Sequence, residues 1–352
     1  MDSALRPFVA HRFGLLLPAA VASLVASWLH LPLPWMIGPL LLVGGLRIRG
    51  IALEAPPGSR QAGQWVIGAT LGLYFTPAVI GELQRNASLI LAIAACSLPF
   101  GMICSELVRR LTGCDRATAY FASLPGGASE MAVLAERHGG AVDLIAAAHA
   151  LRVAVVVATI PLILAAAGAH GSDAYAPLAR ELDWQRMPLL VAASLAGALA
   201  LRTVGVANAW VLGPLFAVGL VTATGTPLSA MPTWLVNGGQ LLIGIALGSR
   251  FSPDFFERAP RFMAAALAST LAALLLGASL ALLFAMSSSG TAATLLLAAA
   301  PGGIAEMSVT ARDLQLGVPL VTACHVLRVV VLSLGAGPCF RLFRLGPRRQ
   351  RC

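Results

Sequence analysis

The chain has 352 residues, 58% hydrophobic and 11% charged, with a mean hydropathy of +0.83. That argues against a soluble domain and places it among polytopic membrane proteins, with the lipid bilayer as its first partner. The net charge of +9 would suit nucleic acid, but the arginines fall in short clusters between apolar runs instead of one stripe. Such clusters fit the flanks of membrane spans, so no nucleic-acid partner is expected. All 24 basic residues are Arg, which reflects a GC-rich genome more simply than Arg chemistry.

Apolar runs of about 17–25 residues mark membrane helices. In chain order they fall near 13–31, 33–46, 62–80, 87–108 and 142–168, then near 188–205, 208–224, 236–250, 262–286 and 317–340. Arg6 and Arg12 precede the first run, which is long enough to be a retained helix and not a signal peptide. Two further segments, 117–136 and 293–311, each carry a Pro-Gly-Gly that a continuous helix tolerates poorly, at Pro125-Gly126-Gly127 and Pro301-Gly302-Gly303. Each such segment crosses as a broken helix or enters and leaves on one side.

Arginine distribution bears on direction. If both Pro-Gly-Gly segments are re-entrant, 18 arginines lie inside and four outside; if both cross fully, the division is 15 to 7. Loop 47–61 has three arginines and its counterpart near 225–235 none, and other corresponding loops are likewise opposed. One sequence unit used in both orientations explains that bias. The expected architecture is therefore an all-α polytopic membrane protein of two inverted repeats, 1–168 and 188–340. Each has about five spans plus a broken or re-entrant segment. An external linker, 169–187, joins them, and an Arg-rich cytoplasmic tail, 341–352, follows. Both termini are expected on the cytoplasmic side.

The repeat has a period of about 176 residues. Trp35-Met36-Ile37-Gly38-Pro39-Leu40 returns as Trp210-Val211-Leu212-Gly213-Pro214-Leu215, and Gln64, Gly68, Gly72 and Pro77 return as Gln240, Gly244, Gly248 and Pro253. Pro125-Gly126-Gly127, Glu130-Met131, His149 and Arg152 return as Pro301-Gly302-Gly303, Glu306-Met307, His325 and Arg328. The copies depart at Asp143 against Pro319, Ala128-Ser129 against Ile304-Ala305, and Gly139 against Gln315. Over nearly its whole length, and in both copies, the chain resembles the AbrB family of bacterial membrane proteins, whose duplicated domain carries this PGG…EM…H..R block. The resemblance implies a multi-pass bacterial inner-membrane protein, with labels of transcriptional regulator or ammonia monooxygenase.

Charges within spans cost about 2.5–3.5 kcal/mol each on insertion scales, so Glu130, Arg152, Glu306 and Arg328 need compensation, most simply as Glu–Arg pairs. His149 and Arg152 share a helix face, as do His325 and Arg328. Two readings stand: a polar substrate or transport site near the midplane, with the Pro-Gly-Gly backbone lining it, or a lock between repeats. Gly68, Gly72, Gly244 and Gly248, spaced G-x-x-x-G, are expected to pack helices.

The leading functional expectation is a permease working by alternating access on an unknown small molecule. An organic anion, a neutral metabolite and proton-coupled exchange all fit. The alternative is a membrane-embedded regulator acting indirectly on gene expression. No enzymatic activity is expected, because oxygen chemistry needs converging metal ligands and the six histidines form no Glu-x-x-His pair. The six cysteines form no CxxC, so neither a disulfide framework nor a zinc site is indicated, and no cofactor is expected. A homo-oligomer is compatible with the sequence.

Overall fold

The structure, a computed structural model, describes residues 14–171, 177–178, 181–251, 259–287 and 290–342. Arg6 and Arg12, parts of the 169–187 linker, Pro253 and tail residues 343–352 lie outside the described residues. Among the described residues there are fifteen helices and no strand. In order they are α1 (Leu16–Trp28), α2 (Pro34–Ile48), α3 (Ser59–Gly72), α4 (Pro77–Arg85), α5 (Ala87–Thr112), α6 (Arg116–Ser123), α7 (Ala128–Arg137) and α8 (Val142–Ala166). Then come α9 (Met187–Thr203), α10 (Ala209–Ala223), α11 (Thr233–Gly248), α12 (Pro260–Ala285), α13 (Ala292–Ala299), α14 (Ile304–Asp313) and α15 (Val318–Leu342).

Four helices, α5, α8, α12 and α15, have 25 or 26 residues and are apolar enough to cross a bilayer. The helices found at the other expected spans are shorter. α1, α2, α9, α10 and α11 have 13–17 residues, at most about 26 Å of helix against a hydrocarbon core of about 30 Å. The expected span at 62–80 is broken: α3 stops at Gly72 and α4 leaves at 88°. Pro77 opens α4, and the Thr76 hydroxyl caps it by accepting from the Val79 N–H at 3.3 Å.

Element order repeats, and so do backbone peculiarities. Left-handed residues occur at His30 and Gly205, Leu33 and Asn208, Gly50 and Gly225, and Gly139 and Gln315, all at corresponding positions. The recurrence of four such turns makes the duplication structural as well as sequential.

The described residues form two compact units, each drawing on both copies: those within 1–82, 161–253 and 308–319 in one, and those within 83–160, 254–307 and 320–352 in the other. In the first unit the copies interlace. α3 packs on α10, α11 packs on α2, and α3 and α11 cross. Missing side chains make this possible: a Cβ at Gly72 would stand 2.7 Å from Val218 Cβ, and one at Gly248 would stand 2.9 Å from both Val43 Cβ and the Gly44 nitrogen. Gly68 meets the Val211 backbone and Gly244 the Met36 carbonyl, so all four G-x-x-x-G glycines lie at helix crossings. In the second unit α5 and α12 pack together with α6 and α13 against them, around a core including Phe121, Leu124, Met131 and Ile145.

Candidate functional site

Both Pro-Gly-Gly segments break their helices in the second unit. Asp115 caps α6, its carboxylate accepting from the Thr118 N–H at 2.8 Å, and Thr291 caps α13 in the same way. α6 ends at Ser123, where Leu124 turns extended, and α13 ends at Ala299, where Ala300 does the same. α7 and α14 begin beyond the glycines. Each interruption frees carbonyls at the end of one half-helix and N–H groups at the start of the next, and burying these unmet is costly.

The His and Arg of the next long helix meet the freed carbonyls. Arg152 donates from Nη1 to the Leu124 carbonyl at 2.7 Å and from Nη2 to Gly126 at 3.3 Å. His149 Nε2 lies 2.9 Å from the Phe121 carbonyl, and its Nδ1 is 3.0 Å from Arg152 Nη2. Guanidinium nitrogens only donate, so Nδ1 accepts and the proton sits on Nε2, facing the carbonyl. In the second copy Arg328 donates to the carbonyls of Ala300, at 2.6 Å, and Gly302. His325 Nε2 lies 2.9 Å from the Leu297 carbonyl. The contacts repeat at sequence separations of 28, 28 and 26 residues.

These partners change the expected charge compensation. Both guanidinium groups face the carbonyl end of a half-helix, where the helix dipole is negative, instead of serving only a Glu. Glu130 and Glu306 sit in the first turn of α7 and α14, where the dipole is positive. Glu306 is buried, and its carboxylate folds onto Gly303, so that a Cβ there would collide with Oε2. Glu306 holds the N3 position, from which a glutamate can reach back to its N-cap. Glu130 is half-buried, and its Oε2 is enclosed without a hydrogen-bond partner. Met131 and Met307 lie over Gly126 and Gly302, 2.9 Å and 2.6 Å from where a Cβ would stand.

The two breaks share one small cavity of about 20 Å³, room for one or two waters. Pro125 and Ser123 line it from the first copy, and Pro301, Cys324 and Arg328 from the second. α5 and α12 complete the wall with residues that include Ser97, Gly101 and Ala273. Of the six polar residues expected from the sequence, Arg328 lines this cavity. Glu130, His149, Arg152, Glu306 and His325 stand at the breaks around it.

Ser123, Ser97 and Gly101 were not among the expected site residues. Gly101 and Gly277 carry a signal that the 176-residue period contains, since they correspond. A Cβ at Gly101 would strike Leu124, and one at Gly277 would stand 3.0 Å from the Ala299 carbonyl. They let α5 and α12 close on the two breaks. Among the described residues no group of three or more His, Cys, Asp or Glu is placed to hold a metal ion.

Comparison with known proteins gives three findings. A family model described as transition state regulatory protein AbrB matches residues 35–344. A Bacillus subtilis (strain 168) protein named "Uncharacterized protein YhjN" is 24% identical over 352 aligned residues, covering 92% of this chain and 91% of its own. An Escherichia coli (strain K12) protein named "Putative regulator AbrB" is 26% identical over 322 residues, covering 89% and 90%. No solved structure matches.

Proposed function

The chain belongs to the AbrB family, and from that premise we propose an integral inner-membrane permease that gives a small solute alternating access to a polar site near the bilayer midplane. One observation carries this reading: two equivalent broken helices, one from each copy, meet at a single cavity lined by a buried guanidinium. A helix break in lipid is tolerated where it is stitched by protein or lines a pathway; these breaks are stitched by Arg152 and Arg328 and border a cavity. Opposed charge on corresponding loops supports inverted repeats, with both termini cytoplasmic. No enzymatic step, metal or cofactor enters this reading.

The test is a comparison of solutes inside and outside cells lacking the protein with cells that regain it. The solute whose distribution changes is then measured in proteoliposomes. Expected is a flux that Arg328→Gln abolishes and that Glu130→Gln reduces at least tenfold, about 1.4 kcal/mol or more in a rate-limiting barrier. Wild-type flux in both variants would remove the site assignment.

The name of the E. coli relative favours a second reading, a membrane-embedded regulator. The two readings separate on transcript changes in a deletion strain. Under the permease reading the changes disappear when the solute is supplied or withdrawn. Under the regulatory reading a flux-dead variant restores normal transcripts.

A further inference from the structure

We propose that the cavity between the two breaks binds the carboxylate of a small monocarboxylic acid, gripped by the Nε edge of Arg328 and the Ser123 hydroxyl. The inference deepens the permease reading by naming a solute class.

Arg328 is 5% exposed and lines the cavity, and its Nε is enclosed without a hydrogen-bond partner. Its two terminal nitrogens hold the carbonyls of Ala300 and Gly302, so the fork is fixed and its Nε side remains. That side, Nε–H with one Nη2–H, has the spacing for a carboxylate in the side-on bidentate geometry. Ser123 accepts from the Ser269 hydroxyl at 3.5 Å, which leaves its own O–H to donate. Ser97 donates to the Ala94 carbonyl at 2.6 Å and offers no such proton. The donors left over therefore belong to the two breaks and not to the α5 wall.

Charge selects the sign. Among the described residues no Asp or Glu lines the cavity. Glu306 acts on Arg328 electrostatically but is folded against Gly303. Arg152 lies near enough to Arg328 to repel it. Two like charges in one apolar core are relieved by an anion beside them, which gains from both. The rest of the wall selects the class. Ile93, Phe100, Ala273 and Leu280 are apolar and offer nothing to the second charge of a phosphate or dicarboxylate, and a space of about 20 Å³ limits the acid to the size of formate or acetate.

The test uses the purified full chain in nanodiscs at constant ionic strength, read by unfolding midpoint and titration calorimetry with formate, acetate, butyrate, chloride and phosphate. Expected is saturable stabilisation by formate and acetate, absent with butyrate, chloride and phosphate. Ala273→Leu, which fills the cavity and keeps the arginine, and Arg328→Lys, which keeps the charge but loses the fork, each weaken it about tenfold or more. Absence of saturable carboxylate binding overturns the proposal, as does equal binding by chloride, or unchanged affinity in a folded Ala273→Leu protein. Carboxylate binding without flux sustains the site and removes the permease reading. Flux of a neutral solute that carboxylates do not inhibit sustains the permease and removes the site.

Discussion

Gly139 and Gln315 occupy the same left-handed turn in the two copies, with φ of 74° and 54°. A glutamine there is strained where glycine is not, and no neighbour lies within 4 Å of a Cβ at Gly139. Gln315→Gly should stabilise the protein by about 1 kcal/mol and Gly139→Ala should destabilise it by a similar amount, read by thermal unfolding in detergent. The mismatch was legible as a departure between copies, but its backbone cause was not. Arg152 is the opposite case. Its charge within a span marked it in the sequence, yet its partners, carbonyls 26 and 28 residues upstream, are tertiary relations that no local spacing discloses. Arg152→Met would leave two carbonyls unmet and should cost roughly 2–5 kcal/mol. Gly303→Ala should displace the Glu306 carboxylate and cost about 1–3 kcal/mol, and restoration of the wild-type midpoint by Gly303→Ala/Glu306→Ala would identify that collision as the cause.

Among elements, the four long apolar helices stood out in the sequence because twenty or more apolar residues between charged flanks leave little choice of structure in lipid. Their expected limits, 87–108, 142–168, 262–286 and 317–340, fall close to α5, α8, α12 and α15. The bend after Gly72 did not stand out, because Leu73, Tyr74 and Phe75 continue the apolar run and only Pro77 signals the break. The G-x-x-x-G pairs indicated close packing without naming a partner. The structure supplies one: α3 against α10 and α11 against α2. Gly68→Ala meets Val211 backbone that cannot rotate away and should lower stability by about 1–3 kcal/mol. Gly238→Ala, also in a helix interior but with open space around it, should be neutral or stabilise by up to about 1 kcal/mol. Equal effects would dissociate the glycine pattern from the crossings.

For the whole molecule, arginine asymmetry argues that the two copies face opposite ways, and this is open to direct measurement. In a cysteine-free background, single cysteines replacing Ala52 and Thr226, in corresponding loops, should be labelled by an impermeant reagent from opposite sides of the membrane. Labelling from the same side would exclude inversion. The sequence divides into copies by repetition, whereas the two compact units each combine both copies, because a hydrophobic pattern states which residues avoid water and not which surfaces they cover. That interlacing has a consequence during synthesis. The glycine face of α3 is made roughly 140 residues before α10, its neighbour, on the order of ten seconds at bacterial elongation rates. For that interval a surface suited to another helix is open to lipid and to assembly factors of the membrane. Neither copy expressed alone should escape proteolysis, while residues 1–178 and 181–352 produced as separate chains in one cell should find each other and persist, as immunoblotting of membranes would record.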